Sequence, residues 1–239
     1  MLSRSESKYI QTLSHKKQRD AEGLFVVEGP KLAEEVLSSH FNIKKAYALQ
    51  SWANANKIVE NIVIVNEDAL QKISNLQTAN EVLMLVEMPE ENSFLKFENT
   101  ITLALDGIQD PGNFGTIIRI ADWFGIKQII SSEDCVELYN PKVIQSTMGS
   151  FIRVNVVYTK LAECIAKANV PVFGALLNGK DVTKIEKPEQ GILVIGNESK
   201  GIRQPILSHI NNAISIKRIG GAESLNAAVA TGIILSHIC

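Results

Sequence analysis

Three junctions in the C-terminal half of the chain concentrate residue types that can bind a ligand and move charge. The first, LALDGIQDPGNFGTIIRIADWFGI, sets Gly107, Gly112 and Gly115 around Asn113 and places Arg119 on the helix that follows. The glycines permit tight turns and close ligand approach, and Asn113 is expected to cap that helix. The second, ILVIGNESKGI, leaves an apolar strand at Ile195 and presents Gly196, Asn197 and Glu198. The third, SIKRIGGAESLNAAVATGIILSHIC, turns through Gly220 and Gly221 and enters an almost wholly apolar helix with Ser224 and Asn226. Taken singly, Glu198 suits a helix-entry carboxylate or a surface ion pair, Ser224 a helix N-cap, and Arg119 a solvated helix position. Asn226 asks for more, because an amide in the first turn of so apolar a helix needs partners if it is buried. The first junction is not GxGxxG and no GxxxxGK[ST] occurs, so a nucleotide-phosphate loop is poorly supported.

These junctions require a sheet to hold them. From residue 101 the apolar runs ITLAL, QII, FIRVNVV, VPVFGALL, GILVI and AISI read as parallel strands covered on both faces. Helices are expected over 115–124, 141–148, 161–168, 203–210 and 225–238, the last of them buried. Residues 24–88 alternate short apolar runs with helical patterns, as in LFVVEG followed by PKLAEEVLSS, and form a small α/β domain in which Pro30 opens a helix. Between the two, MPEENSFLKFEN breaks the pattern. The expected organisation is a small domain over 1–90, a linker at 91–100 and a second domain over 101–239.

Composition narrows the chemistry. Cys135, Cys164 and Cys239 are far apart and lack zinc spacing, and the four histidines form no ligand pair, so reduced structural thiols and no metal are expected. No run reaches the 18 or more apolar residues of a membrane span, and the N-terminal segment lacks the apolar stretch of a signal peptide, which makes a cytoplasmic location the expectation. A net charge of -2 argues against coating nucleic acid by bulk electrostatics. Residues 1–19 nevertheless set Arg4, Lys8, Lys16, Lys17 and Arg19 against Glu6 alone, a local +4. Arg4, Lys16, Lys17 and Arg19 are therefore candidates for RNA phosphate contacts, the alternative being the basic face of a solvated helix.

The ordered trio Asn113-Phe114-Gly115-Thr116-Ile117-Ile118-Arg119, Ile195-Gly196-Asn197-Glu198-Ser199-Lys200-Gly201-Ile202 and Ser224-Leu225-Asn226 resembles the SpoU family of RNA 2'-O-ribose methyltransferases in the SPOUT superfamily. The resemblance covers residues 101–239. FVVEGPKLAEEVL in the first domain resembles that family's ribosomal-protein-like RNA substrate-binding domain, and Ala79 departs from the proline that relatives often carry before the last strand. The resemblance implies an α/β fold whose C-terminal parallel-sheet domain is tied in a deep trefoil knot, which chain physics alone would not suggest. It implies S-adenosylmethionine bound against backbone groups at Leu176, Ile195, Gly196, Ile216 and Leu225, where a side chain at Gly196 would take ligand space. It also implies a homodimer whose sites borrow residues from the partner. The catalytic set would be Arg119, Asn113, Glu198, Asn226 and Ser224, acting on a ribose 2'-hydroxyl of rRNA or tRNA. A guanidinium is effectively never deprotonated, so Arg119 is expected to grip a phosphate and stabilise the developing alkoxide rather than act as a base. A SPOUT-fold tRNA base-nitrogen methyltransferase and a non-catalytic RNA-binding or ribosome-assembly protein are the alternatives.

Overall fold

The computed structural model describes residues 2–56, 61–90 and 94–239. The chain forms two compact units, the first comprising residues up to Glu90 together with Tyr139–Ile152, the second the remainder. Residues 91–93 of the expected linker lie outside the described residues.

In the first unit the chain runs through α1 (Arg4–Thr12), α2 (Lys16–Glu22), β1 (Leu24–Glu28), α3 (Pro30–Leu37), β2 (Ile43–Ala48), α4 (Gln50–Ala55), β3 (Ile62–Ile64), α5 (Glu67–Ile73) and β4 (Val82–Glu87). The strands form a mixed sheet in the order β1-β4-β2-β3. All five residues of β1 are buried, which requires cover on both faces. Ile10, Leu13, Leu70 and Ile73 from the helices pack on Val26, Tyr47, Leu83 and Leu85. Pro30 stands in the first turn of α3, where its missing N–H costs nothing.

Among the charged residues of α1 and α2, Arg19 and Glu6 serve the packing while the others are exposed. Arg19 is 1% exposed, and its Nη1 donates to the carbonyls of Leu13 and Ser14 at 2.8 and 2.7 Å, pinning the turn between the two helices. That corrects its placement among RNA-contacting residues, because a count of charges along the chain is blind to which guanidinium the fold turns inward. Lys16 is paired with Asp20 at 2.5 Å, while Arg4 and Lys17 are exposed. Glu6 accepts from Lys45 Nζ at 2.5 Å and from the Tyr47 hydroxyl at 2.8 Å, and these bonds hold its carboxyl below the usual range. Glu6 therefore adds stability that is present above the ordinary carboxylate pKa and lost as pH falls through its lower folded value. Glu6→Gln is expected to cost about 1–2 kcal/mol at neutral pH, a deficit that shrinks in acid. Melts at pH 7 and pH 3 with the same deficit in both would refute this account.

The second unit begins with β5 (Ile101–Asp106), α6 (Pro111–Trp123) and β6 (Gln128–Ser131). The chain then passes through α7 (Pro141–Thr147), which lies in the stretch grouped with the first unit. The sequence assigns this stretch to the second domain. The structure draws it to the first because Tyr139, tilted, and Phe151, edge-on, pack around Phe25, with ring centroids 4.6 and 5.8 Å away. For the same reason the expected strand FIRVNVV is strand only from Asn155, and Ser150–Ile152 forms a single 3-10 turn. The second unit continues with β7 (Asn155–Tyr158), α8 (Leu161–Lys167), β8 (Val172–Asp181), β9 (Gly191–Gly196), α9 (Gln204–Leu207), β10 (Asn212–Ser215) and α10 (Ala227–Ile238). Its six strands pair in parallel in the order β10-β8-β9-β5-β6-β7. Ile192, Leu193 and Val194 of β9 are wholly buried at the centre of the sheet.

α6 and α10 pack side by side and run the same way, since Asn226 meets Asn113 at their starts and Gly232 faces Ile120 a turn or two later. This pairing puts the beginnings of both helices beside the carboxyl ends of β5 and β9.

Candidate active site

β5 ends in Asp106, and Gly107, at φ +69°, turns the chain toward α6. The N-cap of α6 is Asp110, whose Oδ1 accepts the Asn113 N–H at 2.7 Å, with Pro111 at the first helical position. Asn113 is thus not the cap. It sits one turn inside the helix with its amide free for a neighbour.

That neighbour comes from two directions. Asn226 caps α10, its Oδ1 accepting the N–H groups of Ala228 and Val229 at 3.0 and 3.2 Å. Its Nδ2 then donates to Asn113 Oδ1 at 2.8 Å, and Asn113 Nδ2 donates to Glu198 Oε1 at 2.5 Å. The direction of this relay is forced at both ends. The helix amides require an acceptor from Asn226, and an ionised Glu198 can only accept. Each bond polarises the next, so the chain delivers an oriented carboxylate where the three junctions meet. Ser224 is exposed two residues before the helix cap, so the expected N-cap role falls to Asn226, which tertiary contact with Asn113 selects over an equally good capping residue. Asn226 itself is exposed rather than buried.

Glu198 rides on a loop closed upon itself. Asn197 Oδ1 accepts from the backbone of Ser199 and Lys200, its Nδ2 donates to Gly107 O at 2.8 Å, and Asn197 and Gly201 exchange backbone hydrogen bonds. A Cβ on Gly196 would stand 2.5 Å from Ile202 N and closer still to Gly201 C. Glycine is required there because the loop's own backbone crosses it, a reason independent of the expected ligand space. Beyond the loop, Arg203 is anchored twice to Asp106, by its backbone N–H at 2.7 Å and by Nε at 2.6 Å, and its Nη atoms reach Asp134 at 3.1 and 3.2 Å. A hydrogen bond from Ser132, together with Arg203, holds Asp134 below the usual carboxylate range, and Asp106 raises Arg203. Sequence reading missed Asp106, Asp134 and Arg203. An aspartate that ends an apolar strand is the local signal for the first of them.

Arg119 is brought to the same helix but not into the relay. It lies six residues beyond Asn113, about 120° away round α6. Its side chain is exposed and makes no ion pair or hydrogen bond to another described residue.

Of the five positions expected at the cofactor, Ile195 and Gly196 end β9, Ile216 directly follows β10, Leu176 lies midway along β8 and Leu225 directly precedes the α10 cap; open parallel sheets bind ligands beyond such strand ends. β8 pairs with β9 only as far as Gly174 opposite Val194. Against β10 the register jumps from Ala213 opposite Gly174 to Ile214 opposite Lys180, so residues 175–178, including Leu176, have no register partner in β10, while Gly179 packs on the Ile214 backbone. Leu176 is partly buried against the apolar core, Ile195 is buried, Ile216 half-buried and Leu225 exposed. Apolar side chains beside a stretch of backbone released from its ladder fit an adenosine, which needs a flat apolar bed and hydrogen bonds at its edge. Among the described residues no three His, Cys, Asp or Glu side chains gather as a metal site would need, and no helix is long and apolar enough to cross a membrane.

The sequence profile of the SpoU rRNA Methylase family matches residues 100–236, and that of the MRM3-like substrate binding domain matches residues 5–84. The chain belongs to the SpoU rRNA methylase family. Membership makes it an S-adenosylmethionine-dependent RNA methyltransferase. It is 30% identical over 232 residues to the 23S rRNA (guanosine(2553)-2'-O)-methyltransferase RlmP of Bacillus subtilis, covering 95% of this chain and 92% of that one. It is 32% identical over 180 residues to the 23S rRNA (guanosine-2'-O-)-methyltransferase RlmB of Blochmanniella floridana, covering 68% of this chain and 70% of that one. Among solved structures, an S-adenosylmethionine-bound rRNA methyltransferase from Sinorhizobium meliloti superposes with a TM-score of 0.89 at 29% identity, over 100% of this chain and 96% of that one. All three residues of the relay lie within the stretch that the SpoU profile matches.

Proposed function

We propose that this chain methylates the ribose 2'-hydroxyl of a guanosine in 23S rRNA, in the cytoplasm. The observation that carries the reading is the Asn226–Asn113–Glu198 relay at the mouth of a gap between strand ends that suits S-adenosylmethionine. When bound, the cofactor supplies a methyl group on a sulfonium. The chain's own part is to align the acceptor and stabilise the oxygen as it loses its proton, a task for positioning and fixed charge. Leu176, Ile195, Gly196, Ile216 and Leu225 would hold the cofactor, with Ser224 at the rim. Glu198, fixed through Asn113 and Asn226, orients the acceptor ribose. Arg119 grips the adjacent phosphate and stabilises the alkoxide.

The exposed direction of Arg119 supports a homodimer. Trp123, one turn further along α6, is 85% exposed, and Val229 on the neighbouring α10 is 51% exposed. A second copy seated on this face would bury both and bring Arg119 to the partner's relay. Residues 1–90 supply RNA specificity, residues 91–100 link, and residues 101–239 carry the site, with α10 passed under a loop of the knot.

The test is the 23S rRNA of cells with and without the gene. Ribose methylation blocks alkaline cleavage, so one resistant dinucleotide carrying 2'-O-methylguanosine should vanish on deletion and return with the wild-type gene. An unchanged rRNA, or loss of a methylated base instead, would overturn the proposal.

A further inference from the structure

We propose that Lys180, Lys184, Lys217 and Arg218 form a phosphate-binding edge that holds the RNA backbone beside the site. The proposal rests on the RNA reading above and adds where, on the second unit, the backbone is held.

Register brings these residues together. Lys180 and Asp181 of β8 stand opposite Ile214 and Ser215 of β10, and Ser215 Oγ donates to Gly179 O at 2.8 Å. Lys217 and Arg218 follow within three residues, and Lys184 closes the 3-10 turn that directly follows β8. All four are exposed. Beside them Asp181 Oδ1 accepts from Thr183 N and Oγ1 at 3.0 and 2.9 Å, and these bonds, with Lys184 and Lys217 close by, hold its carboxyl below the usual range. None of the four makes an ion pair to a described residue, and Arg218 reaches only the Ala222 carbonyl, at 3.4 Å. In a chain with 24 Lys and Arg against 26 Asp and Glu, four exposed cations set against Asp181 and the loop's Glu223 leave a local surplus of positive charge at this sheet edge.

Their place decides the partner. β10 and β8 are the edge and second strands of the sheet, and the gap that suits the cofactor opens where β8 parts from β9 after Gly174. The chain from Lys217 to Asn226 is exposed throughout and leads from these cations to the relay, with Ile219 92% exposed between them. A polyanion whose charges repeat along its length can engage the cations at one end of this loop and the relay at the other. Exposed cations at such an edge also release phosphate counterions on binding, which N-terminal Lys16, in direct contact with Asp20, does less well.

The experiment compares wild type with the double substitution Lys217→Ser and Arg218→Ser in the full chain. Binding of a fluorescein-labelled 30-nucleotide hairpin RNA of mixed sequence is followed by anisotropy between 50 and 200 mM KCl. Losing two phosphate contacts should reduce the slope of log K against log salt by roughly 1.4–1.8 and weaken binding at least about tenfold near 100 mM salt. S-adenosylmethionine affinity by calorimetry should stay within about twofold. An unchanged slope and affinity would overturn the edge, as would a variant that loses the cofactor, or a wild type that binds polyglutamate in preference to the hairpin. Failure of the wild type to bind the hairpin at all would instead overturn the RNA reading on which the proposal rests.

Discussion

Replacing Arg119 with alanine is expected to lower the rate of methyl transfer by about 10²–10³, the loss typical when one fixed donor to a developing oxyanion is removed. S-adenosylmethionine affinity should hardly change, because Arg119 lies on α6, apart from the proposed cofactor positions, and its exposed side chain supports nothing in the fold. Stability should move by no more than about 0.5 kcal/mol, as for any exposed side chain without partners. Arg119→Lys keeps the charge but loses the planar fork, so it should recover only part of the rate. Single-turnover methylation and calorimetry on the same preparations separate the outcomes. A variant that cannot bind cofactor, or that transfers methyl at the wild-type rate, would remove Arg119 from the chemistry. Raising pH should not rescue Arg119→Ala, because the proposed role asks of Arg119 a fixed charge and not a proton acceptor.

What the sequence makes legible is what lies close along the chain. The strands of the second unit follow from apolar runs, and the junctions are visible because Gly, Asn and Glu crowd the strand ends. Even their meeting at one place follows from parallel strands sharing a carboxyl edge. Contacts between distant residues escape. The assignment of the α10 cap to Ser224 fails because Ser and Asn cap helices about equally well, and only the bond from Asn226 to Asn113, 113 residues away, selects between them. The α6 cap was readable, since Asp110 immediately precedes Pro111 and proline favours the first helical position. The register jump that frees residues 175–178 leaves no trace in the apolar pattern of VPVFGALL. Arg19 shows the same limit for charge: a local surplus of cations says nothing about which of them the turn between two helices will bury.

The largest loss of stability is expected from Arg203→Ala, about 3–5 kcal/mol, because the substitution strands a buried charge. Asp106 is 1% exposed at the end of β5, and its charged partner is Arg203, through Nε and Nη2, with the Arg203 backbone N–H as a further donor. Removing the guanidinium leaves a carboxylate with the desolvation cost of burial and one backbone bond to offset it. The outer leg to Asp134 is half-exposed and contributes far less, so Asp134→Asn should cost no more than about 1 kcal/mol. If this ranking is right, the double variant Asp106→Asn with Arg203→Ala should be more stable than Arg203→Ala alone, because a neutral amide is far cheaper to bury unpaired. Urea unfolding of the single and double variants tests the point, and strict additivity would show that the pair is not coupled. The pair also reaches the site. Arg203 directly follows the loop that carries Glu198, so releasing it loosens the end of the relay that the acceptor ribose must meet, and the surviving folded Arg203→Ala protein should show a lower methyl-transfer rate than its cofactor affinity alone explains.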